Sequence, residues 1–558
     1  MRKLFALFLL AATPLLADET VWWTVQSGPP QAIYATVGPT PLSDHGLHGE
    51  GQIIALLDTG VDFRICYFAE PDGAMPPVNT GSPTTGLAWQ NVVPSRRKII
   101  AYDFLYSCDQ FPGRTGCDDP AAIDSYDKAG HGTVAAATAA GDKGTPVVHD
   151  LADGVAPAAK LIVQGAGYVG GDNCSQRPGI GCPVNLTPIL EQAYKQGARI
   201  DSNSWGDRQG TPAWLPPPTA NYSQSAHDVD AFVWSHPDML VIFNTGNYSH
   251  TGVPPASSLS APGCAKNTLQ VGGTRITGRD NDNWLTLFSL VGPTRDGRIK
   301  PDVVGPAWIT TGDPSAQDAC GIFYQGGTSW SSPAIAGAAA LVRQYYTDGF
   351  YPTGSATPAN AMIPSAALMK ATIIASARRA EYQQLRPGLD SATAPVPSYQ
   401  QGFGFPVLDD ALYFAGDRAR LRVWDVPLAS GLVEGASSTQ RVNVVAGTPL
   451  KVVLVWTDPA GVPRSVSDPT PELVNDLDLR VTTPGGTVIL GNDSLHPGQP
   501  DRLNNVEAVS LPAPDSGTYT ITVTAHHLGA GPRQSYALVM TGDISDAATG
   551  RVRAVQSR

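Results

Sequence analysis

Charge is scarce in this chain: Asp, Glu, Lys and Arg make up 15% of its 558 residues, while hydrophobic residues make up 42%. Ordinary globular proteins carry about 25% charged residues, and disordered or coiled-coil proteins are richer still, so neither of those classes fits. No basic run is long enough to form a patch, and 49 acidic against 37 basic residues leave a net charge of −12. A surface of that sign repels phosphate backbones, and no nucleic-acid partner is expected. No apolar stretch reaches the roughly 20 residues a spanning helix needs, so no membrane anchor is expected. The seven cysteines include no C-x-x-C pair, and the two close-spaced pairs have no histidine nearby, which removes a zinc site. Neither an EF-hand loop nor an internal repeat is present.

Glycine (58) and proline (49) are abundant instead, as in a loop-rich globular protein, and the length suits two domains. Arg2 and Lys3 precede the apolar run 4–12 and then Pro14-Leu15-Leu16-Ala17. That order reads as a signal peptide over 1–17, so the protein is expected to be secreted, extracellular or periplasmic. In an oxidising compartment the cysteines form disulfides. Cys108 with Cys117 and Cys174 with Cys182 are expected as short local bridges and Cys264 with Cys320 as the long-range one, leaving Cys66 over.

From about residue 50 to 375 short apolar runs alternate with helix-like stretches. The runs QIIALLD, KLIVQGA, ARIDSNSWG, MLVIFNTGN and TLQVGG read as buried parallel strands, and helices are expected near 132–140, 186–197, 224–236 and 332–346. The fold class is therefore α/β, a mainly parallel sheet flanked by helices. After about residue 420 the segments RVNVVA, LKVVLVWT, LDLRVTT, GTYTITVTA and QSYALVM are β-branched and aromatic with no helical period. They predict an all-β jelly-roll or β-sandwich domain. The expected division is 18–417 for the α/β domain, with a short N-terminal extension, 418–545 for the β domain, and 546–558 for a tail.

Three motifs stand at the ends of these elements: Asp58 in IIALLDTG, His131 in GHGTVAAATAAG and Ser329 in GGTSWSSPAIAG. Open parallel sheets gather reacting groups at the carboxyl ends of strands and the starts of the next helices. A serine hydroxyl becomes nucleophilic when an imidazole takes its proton, and a carboxylate holds that imidazole in the right tautomer. Asp58, His131 and Ser329 fill those roles. Ser329 at a helix start also turns its own N–H toward developing negative charge, and Asn247 in VIFNTGN is a candidate second oxyanion donor.

On these residues the chain resembles the subtilisin-like serine peptidases. Asp58-Thr59-Gly60, His131-Gly132-Thr133, Thr245-Gly246-Asn247 and Gly327-Thr328-Ser329 match the family's aspartate, histidine, oxyanion and nucleophile motifs in order, over about residues 45–415. GVAPAAKLIVQ, RIDSNSWG and GPTRDGRIKPDVVGP, with the later LVWTDPAG, LVNDLDL and NNVEAV, look like the branch of secreted bacterial alkaline proteases that carry a C-terminal jelly-roll domain. The resemblance implies a serine endopeptidase acting on protein or peptide substrates without a catalytic cofactor, and a monomer. It implies substrate-binding edges at Gly165 and Gly167 and at Ser204-Trp205-Gly206, where an extended peptide adds as a strand. It also implies structural Ca²⁺, for which Asp476, Asp478 and Asp493 are the candidates.

The departures lie at Val134-Ala135-Ala136-Ala137, where relatives carry a second histidine, and at Trp330-Ser331-Ser332 after the nucleophile. These are expected to be packing positions. Only about 40 residues separate Ala17 from Asp58, too few for the domain-sized propeptide of many relatives, so folding without one or with help in trans is expected. The competing reading is a catalytically silent binding or adhesion protein on a peptidase scaffold. A serine esterase would need a G-x-S-x-G elbow and the order Ser, Asp, His, which this chain lacks.

Overall fold

The structure, a computed structural model, describes residues 25–26, 40–80, 90–105, 127, 129–144, 150, 152–167, 185–206, 220–248, 254–276, 283–315, 319–380 and 396–546. The expected signal peptide, the cysteines 108, 117, 174 and 182, and the tail from 547 lie outside those residues.

Nine strands form the main sheet: β1 (Ile53–Asp58), β2 (Val78–Thr80), β3 (Ile99–Phe104), β4 (Lys160–Gly165), β5 (Ile200–Asn203), β6 (Leu240–Asn244), β7 (Leu269–Ile276), β8 (Asn283–Leu285) and β9 (Val303–Pro306). Their order is β2-β3-β4-β1-β5-β6-β7-β8, with β9 also on β7, and every pair is parallel except β7 with β8. The chain leaves β1, builds outward from β2 back to β4, then crosses to β5 on the other side of β1. Asp58 thus ends the strand at which the winding reverses, the place where open α/β sheets bind ligands.

Both faces are covered, which is why the strands read as unbroken apolar runs. On β1 Ile54 and Leu56 join one core with α1 (His131–Ala140), α4 (Thr328–Thr347) and α5 (Ala366–Ser376). The alternate residues Ala55 and Leu57 join the core beneath α2 (Leu186–Lys195) and α3 (Gln224–Ser235). The antiparallel hairpin β10 (Trp308–Gly312) and β11 (Ile322–Gly326) leads directly into α4.

The C-terminal unit is a sandwich of two antiparallel sheets. One holds Arg420–Val426, Tyr536–Gly542, Leu450–Val455 and Val506–Leu511; the other holds Val488–Leu490, Asn475–Thr482, Gly517–Leu528, Ser437–Val444 and Ile544–Asp546. Val452, Leu454 and Leu538 point into the sandwich core with Leu477, Leu479 and Ile521. Their neighbours Val453, Val455, Ala537 and Val539 belong instead to the core that contains α5. The four-stranded sheet is therefore buried on both faces, and the two units share a hydrophobic core.

The expected Cys264–Cys320 bridge is not formed. Cys320 pairs with Cys66, with a Cα–Cα distance of 5.2 Å. The hairpin β10–β11 returns over the segment that follows β1, where Cys66 N also donates to Ala319 O at 3.1 Å. Cys264 is buried elsewhere, its thiol donating to Asn221 O at 3.2 Å. The bridge joins residues 254 positions apart and ties the segment after Asp58 to the hairpin that feeds Ser329. Closing so long a loop restricts the unfolded chain strongly, so Cys66→Ser/Cys320→Ser should lose about 2–5 kcal/mol of stability, read as a lower denaturant midpoint. An unchanged midpoint in reduced and oxidised protein alike would refute that role.

Candidate active site

Asp58 is the last residue of β1 and 2% exposed. Its Oδ1 accepts from His131 Nδ1 at 2.7 Å and from Thr59 N at 2.7 Å. His131 opens α1 after Gly130, whose φ of +72° is readily adopted only by glycine. Gly132 is required for a different reason. A Cβ there would lie 2.0 Å from Gly60 O, so the helix start packs directly onto the Asp58–Gly60 turn. The His131 side chain remains 33% exposed. Burial pulls its pKa down, but the charge and hydrogen bond of Asp58, with the charge of Asp127 behind, hold it above the ordinary value of 6.5.

Ser329 is the second residue of α4 and 5% exposed. Pro333 sits inside that helix. Lacking an N–H, it leaves the carbonyl of Ser329, four residues back, without its helical donor. Ser204 Oγ supplies the missing bond at 2.7 Å and also contacts Ser332 Oγ at 3.0 Å. In return Ser329 Oγ donates to Ser204 O at 3.3 Å; among the described residues it has no hydrogen bond to His131. The Trp330 ring, 2% exposed, lies 5.0 Å from the His131 ring between centroids.

Asn247 follows β6. Its Oδ1 accepts from Thr328 N at 2.9 Å and Thr328 Oγ1 at 3.0 Å. Both acceptor directions are taken by the residue before Ser329, which leaves Nδ2 as the group to offer. The four residues named from the motifs thus converge at one end of the sheet.

Of the expected substrate edges, Ser204-Trp205-Gly206 follows β5 beside Ser329, with Trp205 Nε1 donating to Asn203 Oδ1 at 3.1 Å. Gly165 ends β4 in register with Asp58. A Cβ on Gly167 would lie 2.1 Å from Thr59 O, so this glycine lets the segment after β4 pack against the Asp58–Gly60 turn. Val134 to Ala137 are buried in α1, the packing role expected of them.

The aspartates expected for calcium have protein partners. Arg502 bridges Asp476, at 3.2 Å, and Asp478, and Asp493 Oδ1 accepts from Gly498 N at 2.7 Å. Among the described residues no group of three or more His, Cys, Asp or Glu side chains is arranged to hold a metal ion. As arranged, Asp476 and Asp478 do not fit a calcium site, because Arg502 already supplies the positive charge.

Three contributors escaped the sequence reading: the Trp330 ring on His131, the Ser204–Ser332 contact, and the buried Asp127. An aspartate four residues before His131 was the available signal for the last, but in a polar stretch it reads as a turn residue.

Comparison with known proteins bears on this site. The family profile described as the subtilase family matches residues 49–404. Over 95% of the chain, 26% of residues are identical to the serine protease/ABC transporter B family protein tagA of Dictyostelium discoideum, of which 32% is covered. Bacillopeptidase F of Bacillus subtilis is 25% identical over 54% of the chain and 18% of its own length. The chain thus spans about a third or less of these curated relatives. Among solved structures, a serine protease of Aeromonas sobria is 16% identical, covering 94% of this chain and 95% of that one with a TM-score of 0.41.

Proposed function

The chain belongs to the subtilase family, and on that premise we propose that it is a secreted serine endopeptidase that cleaves peptide bonds through Asp58, His131 and Ser329. The observation that carries this reading is the 2.7 Å bond from His131 Nδ1 to a buried Asp58, set beside a serine at the start of α4. With Nδ1 committed to the carboxylate, the neutral imidazole keeps Nε2 as its basic nitrogen.

Ser329 Oγ leaves Ser204 O and gives its proton to Nε2 as it attacks the peptide carbonyl. Such bonds are often loose without substrate and tighten with it. The oxyanion forms against Ser329 N–H and Asn247 Nδ2. His131 then protonates the departing amine, leaving an acyl-enzyme that water hydrolyses with the same base. An extended peptide fits beside 204–206 and 165–167 as an added strand. The test is covalent labelling by a phosphonate or sulfonyl fluoride: Ser329 should be labelled in folded wild type and absent from Ser329→Ala. Failure to label, with no peptide cleavage, would favour the silent scaffold.

Asn247 donates better to a tetrahedral oxyanion than to a planar carbonyl, so its effect belongs in turnover. Asn247→Ala should lower kcat by roughly 100- to 1000-fold with little change in KM, the scale known for this donor in subtilisin. A raised KM at constant kcat would make Asn247 a turn residue.

The pH profile follows from His131. Asp58 and Asp127 raise its pKa, so more of it is protonated, and idle as a base, at a given acidic pH. Peptide cleavage should therefore rise with pH through a midpoint above 6.5. A flat profile between pH 5 and 9 would sink His131 as the base.

A further inference from the structure

Behind Asp58 lies a second buried carboxylate that this reaction scheme leaves unused. Asp127, 3% exposed, accepts four hydrogen bonds. Its Oδ1 takes Thr59 Oγ1 at 2.7 Å and Gly130 N at 3.1 Å; its Oδ2 takes Thr133 N at 2.8 Å and Thr133 Oγ1 at 2.6 Å.

The donors sit on both halves of the Asp–His pair. Thr59 follows Asp58 and donates its N–H to Asp58 Oδ1, while Gly130 and Thr133 bracket His131. Thr59 Oγ1 has a single proton. Asp127 is the nearer acceptor, since Asp58 Oδ1 is 3.3 Å away. The hydroxyl oxygen is then free to accept Gly132 N at 2.9 Å, which ties the catalytic turn to the first turn of α1.

Helix capping alone asks for less. The N-cap position is Gly130, which has no side chain to cap with, and Asp127 reaches in from three residues outside with a φ of +47°. A neutral Asn or Ser at the cap would satisfy the helix N–H groups.

We propose that Asp127 is a positioning residue for the proton transfer, fixing Asp58 and His131 relative to one another through Thr59 and the first turn of α1 and favouring the imidazolium by its charge. This rests on the serine-peptidase reading. Of the elements packed against α1, β1 brings Asp58, and neither β10 nor α4 before Arg343 carries an ionisable side chain. β4 brings Lys160, committed to Pro94 O and Arg96 O. Asp62, whose N–H donates to Thr133 Oγ1, is paired with Arg64 at 2.8 Å. Among the described residues, Asp58 and Asp127 are thus the charges that act on the imidazole. Burial pushes the Asp127 carboxyl up to about 6, against the pull of its Thr133 and Thr59 donors, so it is largely ionised at neutral pH.

The test compares wild type, Ser329→Ala, Asp127→Asn, Thr59→Val and Thr59→Ser as full-length protein, with kcat normalised to active sites titrated by a sulfonyl fluoride. Asp127→Asn should lower kcat about 10- to 100-fold, by analogy with the loss seen when a partner that orients a metal-ligating side chain is removed, with KM within about twofold. It should also move the acid limb of kcat/KM, and the His131 titration followed by NMR in the Ser329→Ala background, to lower pH. Thr59→Val should reproduce most of the kcat loss and Thr59→Ser little of it, and Asp127→Asn/Thr59→Val should be no worse than the poorer single variant.

A per-site kcat and acid limb equal to wild type, with only thermal stability lowered, would reduce Asp127 to a structural cap. If Asp127→Asn does not fold, Thr59→Val with an unchanged kcat overturns the proposal by itself. Peptide cleavage that stays near the wild-type rate in Ser329→Ala would instead overturn the peptidase reading, a result separate from the Asp127 comparison.

Discussion

Ser329→Ala, His131→Ala and Asp58→Asn are each expected to abolish nearly all peptide cleavage while leaving the fold intact. Ser329 and His131 should each cost roughly 10⁶-fold in kcat and Asp58 somewhat less, the scale known for the triad of subtilisin and not one that the present distances fix. The substitutions remove one function three ways. Without Ser329 there is no nucleophile, without His131 its proton stays on, and Asp58→Asn replaces the charged acceptor that now holds Nδ1–H at 2.7 Å by an amide whose N–H favours the wrong tautomer. The double variant Ser329→Ala/His131→Ala should therefore be hardly worse than Ser329→Ala, because the base has nothing left to activate. Residual cleavage over water should survive in all of them through the oxyanion donors, and it should fall further only when Asn247→Ala is added. Multiplicative losses for the serine and histidine variants would dissolve the unit.

How much of this was legible in the sequence can be judged residue by residue. Asp58 was readable because a buried parallel strand is apolar to its end, and a carboxylate there interrupts IIALL where a loop begins. His131 and Gly132 were readable because the backbone contact with Gly60 O tolerates no side chain, so the motif is enforced sterically. The start of α4 was misplaced. The helix expected over 332–346 begins at Thr328. It runs through Pro333 because Ser204, 125 residues away, satisfies the carbonyl that the proline abandons. Local propensity cannot carry such a compensation. Cysteine pairing failed for the same reason: Cys66 and Cys320 meet through the return of a hairpin, and spacing says nothing about that. Asp127 reads as a turn residue because its partner Thr59 lies 68 residues away.

The largest effect on stability is expected at the junction of the two units, where Lys266 and Asp458 form an ion pair with both side chains fully buried. Lys266 Nζ also donates to Pro459 O at 2.5 Å and Glu472 O at 2.8 Å, and Asp458 accepts from Val474 N and Asn475 N at 3.0 and 2.7 Å. Asn267 exchanges hydrogen bonds with the backbone of Asp458 and accepts from Asn505 at 3.1 Å. The segments LVWTDPAG, LVNDLDL and NNVEAV thus meet around one lysine of the α/β unit, and this clasp explains why their polar residues occur together. Removing one partner of a buried pair strands the other charge, so Lys266→Met should cost about 3–5 kcal/mol. Burial already pushes Asp458 above the usual carboxylate range, against the pull of Lys266. With the lysine gone only the N–H groups of Val474 and Asn475 oppose that push, and the folded-state pKa lies further above the unfolded value. The variant should therefore be least stable at alkaline pH and recover as pH falls through that raised pKa, where the stranded carboxyl takes up a proton. Lys266→Met/Asp458→Leu should regain part of the loss at alkaline pH, held short of full recovery by the N–H groups of Val474 and Asn475. Denaturant midpoints of wild type and the two variants at pH 5 and pH 9 would check this. A Lys266→Met penalty that is small, or that grows as pH falls, would mean that the junction tolerates an unpaired charge and that the shared apolar core alone joins the units.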